Sequence, residues 1–205
     1  MARLARIVLP GLPHHVIQRG VRSMALFATD ADRETYLRLL TEFTTRDAVQ
    51  VWAWCLMTNH VHLVLVPPQA RALAHAVGEA HRRYTRAVNF RDGVRGHFFQ
   101  ERFHSFPIQT DRHLLTVGRY VERNPVRARR VRRAEEYPWS SARHHVRGTP
   151  DPLVHPSPIR ALVSHWRQFL RDGEDELDAI RRHVRTGRPW GTDEWKFRGH
   201  ILNSP

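Results

Sequence analysis

The order of strand and helix patterns along this 205-residue chain predicts an α+β fold: a ferredoxin-like split βαβ antiparallel sheet with helices on one face, plus a helical C-terminal extension. Three observations lead there. The patterns run strand, helix, strand, strand, helix, strand and then a further helix; two apolar runs meet at a two-residue turn, as hairpin strands do; and no internal repeat divides the chain.

His14-His15-Val16-Ile17-Gln18-Arg19 reads as a short first strand. Thr29-Asp30, followed by Arg33-Glu34, opens a helix in which Tyr36, Leu39, Leu40 and Phe43 recur at helical spacing. The tryptophan-rich run Val51-Trp52-Ala53-Trp54-Cys55-Leu56 and the run through Leu63-Val64-Leu65-Val66 form a hairpin that turns at Thr58-Asn59. After Pro67-Pro68 a second helix covers about residues 70–89, interrupted only by Gly78. A glycine-containing loop over 91–96 leads through His97-Phe98-Phe99-Gln100-Glu101-Arg102-Phe103 into a fourth strand near 104–108. A third helix, about 111–123, stops before Asn124-Pro125, because proline lacks an N–H and restricts the residue before it. Pro150, Pro152, Pro156 and Pro158 give residues 142–157 the composition of a linker between a domain at 1–141 and an extension at 158–205. In that extension, 158–170 and 174–184 read as amphipathic helices.

Charge narrows the partner. The formal net charge is +13, with 33 cationic against 20 anionic residues, and Lys196 is the only lysine. Arginine's planar guanidinium pairs bidentately with phosphate and stacks on bases, so the bias favours nucleic acid. Base composition of the genome would explain arginine in place of lysine, but not the cationic excess. The single cysteine, Cys55, excludes a disulfide framework and a cysteine zinc site, and an intracellular, cytoplasmic protein is expected. No membrane span and no signal-peptide core are expected, and no glycine-rich phosphate loop or Rossmann pattern points to a nucleotide cofactor.

Within Met57-Thr58-Asn59-His60-Val61-His62-Leu63, His60 and His62 stand two apart at the start of a strand. Side chains at that spacing project from one side of a sheet, so the two imidazoles can grip one metal ion while Val61 faces the other way. In a chain with 15 histidines such a pair also arises by chance, but the apolar flanks mark a central strand, where adjacent polar rings need partners. The third helix supplies complements. Tyr120 and Asn124 are four residues apart and share a helical face, so the amide completes a His-His-Asn set and the phenol can attack a phosphate held there.

These three segments, Met57 to Leu63, then Gly96-His97-Phe98-Phe99-Gln100-Glu101-Arg102-Phe103, then Tyr120-Val121-Glu122-Arg123-Asn124-Pro125-Val126-Arg127-Ala128, resemble in order and spacing the REP-associated tyrosine transposases. That group belongs to the IS200/IS605-type single-tyrosine transposases of the HUH endonuclease superfamily, and the likeness spans about residues 2–141. The resemblance implies that His60 and His62 are metal ligands, Tyr120 the nucleophile and Asn124 the third polar ligand. It implies magnesium or manganese, cleavage of single-stranded DNA through a 5′-phosphotyrosine link, and rejoining without a nucleotide cofactor. It also implies hairpin-forming palindromes of the REP type as partners, action in the nucleoid, and a monomer more readily than a dimer.

DNA contacts are expected from Arg3 and Arg6; from Arg82, Arg83 and Arg86 on the second helix; from Phe98 and Arg102; and from Arg127, Arg129, Arg130, Arg132 and Arg133 after the Asn-Pro. Phe99 and Phe103, four apart, suit a core, and the arginine run also reads as a solvated face. Tyr84, within Arg82-Arg83-Tyr84-Thr85-Arg86, is the rival nucleophile. The extension reads equally as a helical cap or as a further DNA contact. The alternative function is a catalytically weak, domesticated regulator that binds a DNA or RNA hairpin on the same fold.

Overall fold

The computed structural model describes residues 7–154, 158–172 and 180. Its centre is a four-stranded antiparallel sheet of β1 (His14–Arg19), β2 (Gln50–Met57), β3 (His60–Val66) and β4 (His104–Pro107), in the order β2-β3-β1-β4. This is the split βαβ order: β1 and β3 lie side by side at the centre, although a helix and β2 separate them in sequence.

Helices α1 (Asp30–Arg46) and α2 (Ala70–Asp92) cross over between strands and share one face of the sheet. The start of α1 is fixed by a capping box. Thr29 Oγ1 accepts from the Asp32 N–H at 3.2 Å, and the Asp32 carboxylate accepts from the Thr29 N–H at 2.9 Å. Arg91, at the far end of α2, pairs with the same carboxylate, and α2 ends at Gly93 with φ +66°. Beneath these helices lie Val16, Val51, Trp54, Leu56, Val61, Leu63 and Leu65 with Tyr36, Phe43 and Tyr84.

The opposite face is covered as well, which strand and helix order alone did not indicate. Helix α3 (Asp111–Glu122) packs on β2 and β3, and it buries Val117 and Val121 against Ala53, Cys55, Met57 and Val64. Alternation along β2 would put Val51 and Ala53 on one side, but the ladder shifts between them, so each reaches a different core. Pro125 does not simply end the chain's helical course. Arg123 keeps helical angles, and Pro125 enters the first turn of a short helix α4 (Asn124–Arg127), where its missing N–H costs nothing.

Residues 142–157, expected as a linker, begin with helix α5 (Ala142–Arg147), because Ala142 and His145 are buried against the α3 side. Just before it, Leu56 N–H donates to Trp139 O and Ser141 N–H to Trp54 O, so residues 139–141 cover the outer edge of β2. Helices α6 (Pro158–Ala161) and α7 (Trp166–Arg171) complete the layer. A Cβ on Gly118 would lie 2.8 Å from Ile159 Cδ1, and the Arg119 guanidinium lies 4.0 Å over the Phe169 ring. Of the helix expected at 174–184, only Ile180 is among the described residues, and it is buried.

Candidate active site

β3 presents His60 and His62 on the face covered by α3. Cross-strand partners confirm the side: Ile17 and Cys55 flank His62, and Arg19 and Met57 flank His60. The two imidazoles meet edge to face with centroids 5.0 Å apart. Tyr120 is buried on α3, and its ring stands 5.3 Å from the His62 ring, nearly perpendicular to it. Asn124, one turn further on and also buried, lies close enough to the His60 ring to favour its protonated form. The four residues that the sequence brought together are therefore neighbours.

Both rings are held by outer partners. His60 Nδ1 lies 2.7 Å from Asn59 Oδ1, which sets Nδ1 as the protonated nitrogen and leaves Nε2 as the lone-pair donor. His62 Nδ1 lies 3.1 Å from Nε2 of His15 on β1, and the two rings stack with centroids 5.2 Å apart. When the His62 Nδ1–H donates to His15, His62 Nε2 is likewise open to a ligand. Burial is the first cause that holds both imidazoles neutral: His60 is lowered to about 4, with Arg19 and Arg127 adding to the effect, and His62 well below its ordinary value. Neutral imidazole is the metal-binding form.

Arg127 closes the site. Its guanidinium lies 4.2 Å over the Tyr120 ring, and its Nη2 donates to the Tyr120 carbonyl at 2.7 Å. Among the described residues no three His, Cys, Asp or Glu side chains converge as a metal set; the polar side chain beside the pair is the Asn124 amide. Two neutral nitrogens and an amide suit a divalent cation that keeps open positions. The Nδ2 of Asn124 is buried without a hydrogen-bond partner, so it lacks an acceptor that a phosphate oxygen would supply.

Other expected residues are placed elsewhere. Tyr84 is wholly buried under α1 and α2, on the far face of the sheet, and its hydroxyl donates to Leu26 O at 2.6 Å; it is a core residue. Arg82, Arg83 and Arg86 are exposed along α2 on that same far side, with Arg82 paired to Glu79 and Arg83 4.9 Å over the Phe43 ring. Phe98 is only 8% exposed and packs edge to face against Tyr84 and Phe99, which corrects its reading as a stacking platform: little of the ring is left for a base. Arg102 is exposed on the loop that bonds to the end of β1 through Gln100 N–H and Arg19 O. Arg129, Arg130, Arg132 and Arg133 are exposed beyond α4. Arg3 and Arg6 lie outside the described residues.

The reading of spacing alone missed His15, Asn59 and Arg19. The His14-His15 pair was visible, but only the β1 to β3 register, which pairs His15 with Val64, puts its ring beside His62. Also missed was a buried cluster at the end of α3. Glu122 accepts from Ser141 Oγ at 2.6 Å, from Trp166 Nε1 at 2.7 Å and lies 2.5 Å from His145 Nδ1.

No curated protein sequence matches the chain. Among solved structures it is similar to a REP-associated tyrosine transposase bound to a REP hairpin, at 18% identity and a TM-score of 0.61, over 77% of this chain and 93% of that one. A candidate transposase from Deinococcus radiodurans R1 is 20% identical over 59% of this chain and 96% of that one, with a TM-score of 0.40. The first likeness bears on the fold alone, at an identity too low to carry a role for any residue. No helix among the described residues is long and apolar enough to cross a membrane. Sequence settles the family, because the model of IS200-like transposases matches residues 11–124, a span that runs from the turn before β1 through the histidine pair and Tyr120 to Asn124, and the chain belongs to that family.

Proposed function

We propose that this transposase cuts and rejoins single-stranded DNA beside a hairpin, with Tyr120 as nucleophile and His60, His62 and Asn124 as holders of a magnesium or manganese ion. The observation that carries the reading is the Tyr120 ring 5.3 Å from His62, with Asn124 beside His60, all from one chain. A bound divalent cation would polarise the scissile phosphate and offset its charge.

The residues divide the remaining work. Asn59 and His15 fix the two ring orientations through Nδ1 and leave the Nε2 atoms as the lone pairs for a cation. The Tyr120 oxygen attacks phosphorus and loses its proton to solvent; the P–O3′ bond breaks, and the departing 3′ oxygen takes up a proton. The product is a 5′-phosphotyrosine and a free 3′-hydroxyl, and the reverse attack rejoins the strand with no net bond energy lost. Arg127, over the Tyr120 ring, adds positive charge where the pentavalent phosphate becomes more negative. Because one chain holds the whole set, a monomer suffices. Hairpin binding is proposed from the arginine excess and from the relative that holds a REP hairpin.

The test is a denaturing gel after incubation with labelled hairpin DNA and manganese. Wild type and Tyr84→Phe should form a covalent adduct, and Tyr120→Phe should bind the hairpin without forming one. An adduct that survives Tyr120→Phe removes the nucleophile assignment. Binding with no adduct in wild type would leave a hairpin-binding regulator.

A further inference from the structure

Where the segment after α4 meets α7, a cavity of about 480 Å³ opens to solvent. Its walls carry five guanidinium groups, from Arg123, Arg132, Arg133, Arg167 and Arg171, against the single carboxylate of Glu135. Glu136 approaches Arg133 from 3.8 Å, which still leaves cations in excess. Val126, Ala134 and Leu170 supply the apolar part of the lining.

The carboxylate does not neutralise the site so much as aim it. Glu135 is buried, and its Oε1 accepts from Arg167 Nε at 2.9 Å, so the donors at the tip of that guanidinium remain for something else. On its other side, Arg167 and Arg171 also line a more open hollow of about 430 Å³ with His165, Gln168 and Asp172, so that two guanidinium groups face one carboxylate there. The two hollows share these arginines as a common wall. A row of cations on both sides of one wall suits a repeating anion rather than a single small one.

We propose that this cavity and the adjoining hollow bind consecutive backbone phosphates of the duplex stem of the hairpin, through Arg132 and Arg133 on one wall and Arg167 and Arg171 on the other. This rests on the reading of the protein as a hairpin-directed transposase and names which part of the DNA lies here. The lining decides between stem and single strand. No aromatic ring lines the cavity among the described residues, so there is no platform on which an unpaired base would stack, whereas guanidinium groups read phosphates regardless of sequence. Arg123, next to Asn124 in the chain, links this surface to the active site. The extension therefore contributes DNA contacts that the core does not have.

Arg167→Gln with Arg171→Gln tests it, since both side chains are exposed and Trp166 and Leu170, which anchor α7, are untouched. Affinity is read by fluorescence anisotropy against salt, for a hairpin with its single-stranded flank and for the flank alone. With about 0.9 lost from the log-log slope per duplex phosphate contact, two contacts lower the slope by up to about 1.8. That equals a fall in hairpin affinity of up to about thirtyfold at about 0.15 M salt relative to about 1 M. Affinity for the flank alone should not change. Arg38→Gln with Arg46→Gln, exposed on α1, removes the same charge elsewhere and should leave the slope as it was. An unchanged hairpin slope in the Arg167 and Arg171 variant, an equal loss for flank and hairpin, or an equal loss in the α1 variant overturns the proposal. Failure of the transposase reading is seen separately, as absence of any wild-type covalent adduct.

Discussion

Lowering the pH from 7 to 5 should destabilise this protein, and His60 should account for a measurable share of the loss. Burial and the neighbouring Arg19 and Arg127 hold the folded His60 ring at about 4, against 6.5 when unfolded. Between those values the unfolded chain binds a proton that the folded chain does not, so stability rises with pH across the window and falls as pH drops below about 6.5. At pH 5 the unfolded ring is lowered in free energy by RT ln(1 + 10^1.5), about 2 kcal/mol, while the folded ring stays mostly neutral. His62, held well below its ordinary value by burial, and His14, also lowered by burial, act in the same direction. The assay is urea unfolding at both pH values without divalent cation, for wild type and His60→Gln. Wild type should lose about 2 kcal/mol more than the variant on acidification. Equal losses would mean that the His60 ring is not held neutral by its surroundings, and the argument for a metal-ready imidazole would fall with it.

Three further outcomes follow from the geometry. His15→Leu should weaken manganese affinity about tenfold or more, read by electron paramagnetic resonance, with His15→Gln recovering part of it, because an amide oxygen can accept the His62 Nδ1–H. Glu122→Gln should lower stability by about 2–3 kcal/mol in urea unfolding, since the carboxylate serves Ser141, His145 and Trp166 at once and an amide must turn a donor toward one of them. Replacing Arg129 and Arg130 by glutamine should reduce the salt slope of hairpin binding; an unchanged slope would make that stretch a solvated surface.

The histidine pair, the tyrosine and the asparagine could be read from the sequence because each depends on local spacing. Two residues along β3 fix the side of the sheet, and four residues along a helix fix its face. The capped start of α1 was legible for the same reason, from Thr29 and the acidic residues after it. What spacing could not supply was register. His15 reaches His62 only through the pairing of β1 with β3, 47 residues apart in sequence. The second covered face was hidden for a related reason. The shift between Val51 and Ala53 breaks the alternation that would have divided β2 into two sides, and a strand buried on both faces shows only a continuous apolar run. Phe98 was misread because an aromatic beside arginines has the same composition whether it stacks on bases or, as here, packs edge to face against Tyr84 and Phe99.

The two faces of the sheet differ in a way that explains why the candidate site lies under α3. The α1 and α2 side is filled by rings and aliphatic chains, and the hydroxyls of Tyr36 and Tyr84 there are spent on His81 and Leu26 O. A phenol in such a place has no route to a phosphate. The α3 side interrupts its apolar packing at one end, where His60, His62, Arg19 and Arg127 gather around Tyr120. Buried polar groups in that number need a rigid support, since a shift of about 1 Å between nucleophile and phosphate is enough to cost a hundredfold in rate. The support comes from behind: Ile159 fills the space over Gly118, Phe169 takes the Arg119 guanidinium, and Trp166 bonds to Glu122, so three of the four residues flanking Tyr120 within two positions are held by the chain that follows α4. Residues that look remote from Tyr120 in sequence thus set its position, and the length of chain beyond residue 141 is part of what makes a short, twelve-residue helix a fixed platform.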